Sequence, residues 1–422
     1  MSLNETVSAE RVHIAFFGKR NAGKSSLVNA VTGQSLAVVS PVKGTTTDPV
    51  KKAMELLPLG PVVIIDTPGY DDEGELGALR IQKTNEVLAS ADIAVLVYDA
   101  ALGMSGEDRA LLQTLKERGL PVILAANKWD LLPLGEGMPM DVRRDGEPVP
   151  CGLAGAKADG KNDAPVPVSA LTGFGVPELK ERLAALAPKA KPRYILADLV
   201  QPGDTVLLVI PIDESAPKGR LILPQQQTLR ELLDLHCIPV CCQVEEIPSV
   251  LKALWEPPAL VVTDSQAFGR VSALVPASIP LTSFSILFAR YKGQLSTLAA
   301  GARALSQLKD GDRVLIAEGC THHRQCNDIG TVKLPGWVRK YTGKEPIFSF
   351  SSGGEFPEDL RDYALVIHCG GCMLNEAAMQ HRMSVAKAAG VPMVNYGVAI
   401  AEIHGILKRS LEPFAQELSQ NP

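Results

Sequence analysis

In the first third of the chain the apolar positions fall in short continuous runs. Val12–Phe17 (VHIAFF), Val62–Asp66 (VVIID), Ala91–Asp99 (ADIAVLVYD) and Pro121–Lys128 (PVILAANK) are almost free of polar residues and are bounded by turn formers. Such runs read as parallel strands buried on both faces. Helical segments lie between them, for example Glu107–Arg118. The alternation predicts a doubly wound α/β domain over residues 8–188.

Within it, residues 131–167 hold six Pro and six Gly and show no period, so they read as a loop excursion. Arg143 and Arg144 there read as solvated. Ala187-Pro-Lys-Ala-Lys-Pro192 reads as a linker. A second α/β region, 194–265, follows. It opens with an apolar strand (TVLLVIPI, Thr205–Ile212) and continues with a helix at Gln225–Leu235 and a strand at Ile238–Val244. So small a segment buries little core alone, and its apolar strands are expected to pair across a two-fold axis, giving a homodimer or higher oligomer. A third α/β region spans 266–422. Its expected strands are FSILFARY (Phe284–Tyr291), DRVLIAE (Asp312–Glu318), YALVIH (Tyr363–His368) and VPMVNYG (Val391–Gly397), with helices at Gln294–Leu308 and Asn375–Ala389.

The bulk numbers narrow the class. Of 422 residues 46% are hydrophobic and 21% charged, enough apolar content for substantial cores. The net charge of −5 speaks against a general nucleic-acid binder. No apolar run reaches the ~18 residues of a membrane span. Met1–Arg11 lacks a signal-peptide core, which leaves the cytoplasm as the expected compartment. In that setting the eight cysteines, at 151, 237, 241, 242, 320, 326, 369 and 372, read as thiols or metal ligands rather than disulfides.

Four motifs build a nucleotide site in chain order. Gly18-Lys-Arg-Asn-Ala-Gly23-Lys24-Ser25 follows an expected strand and opens an expected helix, the context a phosphate-binding loop needs. Its glycines let backbone N–H groups turn inward, and the helix N-terminus favours the phosphates. Lys24 is expected on the β- and γ-phosphates and Ser25 on Mg²⁺; Ser26 beside it joins the phosphate-binding set. Asp66-Thr-Pro-Gly69 supplies a Mg²⁺ carboxylate and a γ-phosphate N–H. Thr46, within Gly44-Thr-Thr-Thr-Asp48, is the expected first-switch Mg²⁺ ligand. Asn127-Lys128-Trp-Asp130 decides the base, because the Asp130 carboxylate accepts both the N1–H and the 2-amino hydrogens of guanine. Ser169 and Ala170 complete the pocket. GTP and GDP are the ligands these four elements define.

Catalysis departs from the Ras pattern. The residue after the Gly69 position, where a water-orienting Gln is usual, is Tyr70. Asn21 within the phosphate loop and the Gly-Thr-Thr segment resemble the potassium-dependent GTPases of the tRNA-modification type. That resemblance implies K⁺ held near Asn21 and slow, K⁺-stimulated GTP hydrolysis assisted by Lys24, Asn21 and Thr46.

A second constellation lies far downstream. Cys320-Thr-His322 is followed, after 45 residues, by His368-Cys369-Gly-Gly-Cys372. Both groups follow expected strands, and ligands collect beyond the carboxyl ends of strands in open α/β sheets. Three thiolates suit an iron–sulfur cluster with one other ligand. With His322 or His368 they also suit tetrahedral zinc, and buried unligated thiols are the bland alternative. Cys326 is a further candidate thiolate. Cys237, Cys241 and Cys242 read as strand cysteines packed like small hydrophobes.

A GTPase domain followed by C-x-H and H-C-x-x-C, with Pro217-Lys-Gly-Arg-Leu-Ile-Leu-Pro-Gln-Gln-Gln227 between, resembles the HydF family of FeFe-hydrogenase maturation GTPases over essentially the whole chain. The resemblance implies a GTPase domain (8–188), a dimerisation domain (194–265) and an iron–sulfur domain (266–422). It implies a 4Fe–4S cluster on Cys320, Cys369 and Cys372, with the fourth position open or held by His322, His368, water or Asp213. It further implies a scaffold that carries a transient diiron precursor, with the radical-SAM hydrogenase maturases and apo FeFe-hydrogenase as partners. A tRNA-modification or ribosome-assembly GTPase with a zinc domain is the competing class.

Overall fold

A computed structural model of the chain describes residues 10–34, 49–69, 75–132, 140–142, 148–150, 164–188, 194–212, 221–292, 295–319 and 328–420. The chain divides into two compact units, Met1–Lys189 and Ala190–Pro422.

The first unit is built on strands β1 (Val12–Phe17), β2 (Val50–Leu56), β3 (Gly60–Asp66), β4 (Ile93–Asp99) and β5 (Val122–Asn127). A small hairpin, β6 (Met140–Val142) with β7 (Pro148–Pro150), lies within the 131–167 excursion, and β8 (Val166–Pro167) follows it. The sheet order is β2-β3-β1-β4-β5-β8, parallel except for β2. Alternate side chains serve opposite faces. Ile14, Phe16, Val62 and Ile64 enter one core, while Ala15, Phe17, Val63 and Ile65 enter another. Two covered faces explain why these strands read as unbroken apolar runs. The helix Gly106–Glu117 begins with a capping box, Ser105 reciprocating with Asp108, so its first free N–H groups are satisfied. The helix Lys24–Thr32 stops at Gly33, whose φ of 66° lets its N–H reach back to Asn29.

The second unit holds two parallel sheets. Strands β9 (Thr205–Val209), β10 (Ile238–Cys242), β11 (Leu260–Thr263) and β12 (Leu281–Ser283) run in the order β10-β9-β11-β12. Strands β13 (Arg313–Ala317), β14 (Ile347–Ser351), β15 (Leu365–His368) and β16 (Met393–Asn395) run in the order β14-β13-β15-β16. The chain leaves β13 in one direction and β15 in the other. The crevice between their carboxyl ends is therefore a topological switch point, the usual ligand position in such sheets.

Three expectations are corrected. Phe284–Tyr291 is a helix, not a strand. Ser283 caps it by accepting the Ile286 N–H at 3.2 Å, and Phe284, Ile286, Leu287, Phe288 and Ala289 are all buried. A short run this apolar does not separate a buried strand from a buried helix. The expected boundary at 265/266 cuts a sheet, because β12 pairs with β11 beyond it. The strand in TVLLVIPI, β9, is not an interface strand; it has β10 on one side and β11 on the other, and Val206–Val209 are fully buried.

No described helix is long and apolar enough to cross a membrane.

Candidate functional site

The phosphate loop leaves the carboxyl end of β1. Gly18 has φ 154°, and a Cβ there would lie 2.2 Å from the Val97 carbonyl oxygen of β4. Gly23 has φ 84°, and its Cβ would lie 2.3 Å from the Asn127 amide. Both glycines are thus required by close approach as well as by backbone conformation. Asn21, exposed at the crest, takes the left-handed conformation with φ 61°. Lys24 is buried, and its ammonium donates to the Gly18 and Lys19 carbonyls, each at 2.7 Å. It is held over the loop's hollow, within reach of a bound phosphate chain.

Ser25, the second residue of the helix Lys24–Thr32, donates to Asp66 Oδ2 at 2.7 Å. Asp66 sits at the end of β3, 4% exposed, and its Oδ1 is buried without a hydrogen-bond partner. Burial raises its carboxyl above the usual range, opposed by the Ser25 hydroxyl and the Lys24 charge. An orphaned, desolvated carboxylate oxygen beside a serine hydroxyl is a donor set suited to a hard cation, so the residues present fit Mg²⁺. Thr67 fixes this segment by donating to the Phe16 carbonyl at 2.7 Å, and Gly69 follows at the rim.

The base pocket is braced through one residue. Asn127, 1% exposed at the end of β5, donates to the Ala22 and Gly23 carbonyls at 3.0 and 3.3 Å and accepts from the Ala170 N–H at 3.1 Å. It joins the phosphate loop to the Ser169 loop. Lys128, at φ 61°, pairs with Asp99 at 2.8 Å. Asp130 is exposed and accepts from the fully buried Ser169 hydroxyl, leaving carboxylate capacity for a ligand's donors. Asp99 carries no sequence motif and was legible only once β4 and β5 were paired. Ser26 lies in the first helical turn. Thr46 and Tyr70 lie outside the described residues.

The second site forms at the switch point between β13 and β15. Cys369 follows β15, and its N–H donates to the Ala317 carbonyl at the end of β13 at 2.9 Å. Its sulfur accepts from the Gly319 N–H at 3.0 Å and from the Gly371 N–H at 3.4 Å. Gly371 takes φ 64°, and a Cβ there would meet the Met379 sulfur at 2.7 Å. Asn375 caps the next helix, Glu376–Ala388. Burial pushes both thiols upward, Cys372 to about 11. The ammonium of buried Lys292 donates to the Leu374 carbonyl of the same loop at 2.8 Å and favours the Cys372 thiolate.

His368 is fully buried. Its Nδ1 lies 2.7 Å from the Cys369 carbonyl and its Nε2 lies 2.8 Å from Arg382 Nη1. Burial, then the Arg382 charge, lower its pKa to about 3. Cys320, His322, Cys326 and Asp213 lie outside the described residues, and among the described residues no three His, Cys, Asp or Glu side chains converge as a metal site. The two amide donors on the Cys369 sulfur fit a thiolate ligand, and Cys320 is the residue after Gly319. Cys237 and Cys242 are buried, whereas Cys241 is exposed on β10. Lys292 and Arg382 had no signal in the sequence, since neither falls at a motif spacing.

The fold and the phosphate, Asp66 and Asn127–Asp130 elements define a P-loop GTPase domain. Residues 13–128 match a family model described as 50S ribosome-binding GTPase. Residues 195–293 match the hydrogen maturase F dimerization domain and residues 296–413 the hydrogen maturase F tetramerization domain. The chain belongs to the hydrogen maturase F family. Among curated relatives, it is 32% identical over 219 residues to a tRNA modification GTPase MnmE of Synechococcus sp., covering 48% of this chain and 43% of that protein. It is 39% identical over 137 residues to GTPase Der of Thermomicrobium roseum, covering 31% and 29%. The chain therefore spans less than half the length of these relatives. Among solved structures, Aquifex aeolicus Era bound to GDP and AlF4⁻ aligns at 20% identity with a TM-score of 0.35, covering 57% of this chain and 97% of that one.

Proposed function

We propose that the protein is a GTP-hydrolysing scaffold that carries a 4Fe–4S cluster on Cys320, Cys369 and Cys372 and passes a diiron precursor to apo FeFe-hydrogenase. The observation that carries this reading is the Cys369 sulfur, which accepts two backbone N–H groups at the switch point of a parallel sheet. Amide donors lower the charge on a ligating thiolate and tune what it binds. When bound, the cluster supplies an iron site onto which a second metal unit docks. Gly371 lets the ligand loop lie close to Met379 of the helix Glu376–Ala388, and Lys292 offsets thiolate charge from the side of Leu374.

In the GTPase unit, Lys24 neutralises the phosphates, while Ser25 and Asp66 hold Mg²⁺. Thr46 completes the metal shell, and Asn21 supports K⁺ where other GTPases use an arginine. Hydrolysis changes which switch arrangement is favoured, and it gates cargo transfer only through that differential affinity. The chain self-associates. Strands β10 and β12 are the two edges of this sheet; β12 is buried, whereas Ile238 and Cys241 on β10 are exposed, so β10, rather than β9, offers the pairing edge. The radical-SAM maturases that build the precursor and the hydrogenase that receives it are the expected partners in the cytoplasm.

The test is anaerobic reconstitution with iron and sulfide of the wild type and of Cys320→Ala, Cys369→Ala and Cys372→Ala. The wild type should turn brown and hold about four irons per chain, the count of a cubane cluster. Each variant should lose most of that iron. A colourless wild type holding one zinc would overturn the reading.

A further inference from the structure

We propose that Arg382 is the positioning residue of the cysteine site: it joins the carboxyl ends of β13 and β15 and keeps His368 in a state that does not ligate metal. The functional meaning of this rests on the iron–sulfur reading above; the geometry does not. Arg382 lies on the helix Glu376–Ala388 and is 3% exposed. Its Nη1 donates to His368 Nε2 at 2.8 Å and to the Glu318 carbonyl at 3.4 Å, and its Nη2 donates to the Gly353 carbonyl. The guanidinium also lies over the Phe356 ring at 5.0 Å. Glu318 is two residues before Cys320, and His368 is one before Cys369. One buried fork thus spans the carboxyl ends of β13 and β15 and the segment after β14.

The partners fix the tautomer. A guanidinium only donates, so His368 Nε2 accepts. A carbonyl only accepts, so the Nδ1 facing the Cys369 carbonyl at 2.7 Å carries the proton. Ligation requires a free ring-nitrogen lone pair. One nitrogen of His368 is protonated and the lone pair of the other is engaged by a buried cation. Turning the ring toward a metal would strip a buried guanidinium of an acceptor, which is costly. His368 therefore orients Cys369 through the chain, and the fourth position is left to another ligand.

Two measurements on the full chain test this. In metal-free protein labelled with ¹⁵N-histidine, long-range ¹H–¹⁵N spectra should show one histidine locked as the Nδ1–H tautomer, absent in His368→Gln and lost from that form in Arg382→Met. An Nε2–H or doubly protonated His368 in the wild type would overturn the lock. In protein reconstituted with iron and sulfide, pulsed EPR should give the same nitrogen couplings for wild type and His368→Gln. Arg382→Met should gain a strongly coupled nitrogen that disappears when His368→Gln is added. A strong coupling in the wild type that vanishes in His368→Gln would overturn the proposal without needing the arginine variant to fold. If the wild type takes up no iron, the iron–sulfur reading fails, and the tautomer spectrum still decides the lock.

Discussion

The Asn127 side chain reaches from the end of β5 to the Ala22 carbonyl at 3.0 Å, tying the base-recognition strand to the phosphate loop. The same side chain accepts from the Ala170 N–H, so three segments of the nucleotide pocket meet at one buried amide. Asn127→Ala strands the buried Ala22 carbonyl, at a cost of about 1–3 kcal/mol, and also frees the half-buried Ala170 N–H. GDP affinity should fall by roughly 10- to 100-fold, since about 1.4 kcal/mol is a factor of ten. Isothermal titration with GDP checks this, and an unchanged Kd would show that the brace is incidental.

Asp66 gives a pH prediction whose sign is fixed by burial. Its carboxyl is raised above the unfolded value, so the folded state binds more protons in the window between the two. Folded-state stability therefore falls as pH rises through the raised value. Without nucleotide and Mg²⁺, Asp66→Asn should melt higher than the wild type at neutral pH, and the gap should shrink as pH falls through the raised value toward the ordinary carboxylate range. Each kcal/mol relieved is worth about 2–4 °C in a domain of roughly this size. With Mg²⁺ and GDP the order should reverse, because only the carboxylate holds the metal. Differential scanning fluorimetry from pH 4 to 8, as about the usual carboxylate-to-neutral span, reads both effects.

Asn21 stands exposed at the crest of the phosphate loop in the left-handed conformation. If it supports a potassium ion, GTP turnover should be several-fold faster in KCl than in NaCl at equal ionic strength, and Asn21→Ala should remove the difference. Asparagine tolerates this backbone better than alanine does, so Asn21→Asp provides a control for loop strain. Equal rates in the two salts would exclude the potassium role.

Gly371 is required by both conformation and space. Its φ is 64°, and a Cβ would meet the Met379 sulfur at 2.7 Å. Gly371→Ala should destabilise the second unit by about 1–2 kcal/mol through the left-handed backbone alone. It should also lower iron retention, because a backbone that shifts to relieve this strain carries the Gly371 N–H away from the Cys369 sulfur. Pairing it with Met379→Ala should recover space but not iron.

The nucleotide site was legible because each motif is local: a glycine loop, an Asp at a strand end, an Asn and Asp three residues apart. The cysteine site was half legible. The spacing of His368, Cys369 and Cys372 pointed to the end of β15, but nothing in it revealed that His368 is turned inward onto an arginine 14 residues later. Phe284–Tyr291 misled for a physical reason: burial on nearly every side erases the period that separates helix from strand. Strand β9 misled likewise, since an apolar run announces burial and does not say whether a neighbouring strand or a second subunit provides it.

The most direct test is delivery. The chain is expressed with the radical-SAM maturases, purified without oxygen, and mixed with apo FeFe-hydrogenase, and hydrogen evolution is measured. The account predicts activation by the wild type and almost none by Cys369→Ala at equal protein and equal GDP affinity. Equal activation by Cys369→Ala, or none by an iron-loaded wild type, would contradict it.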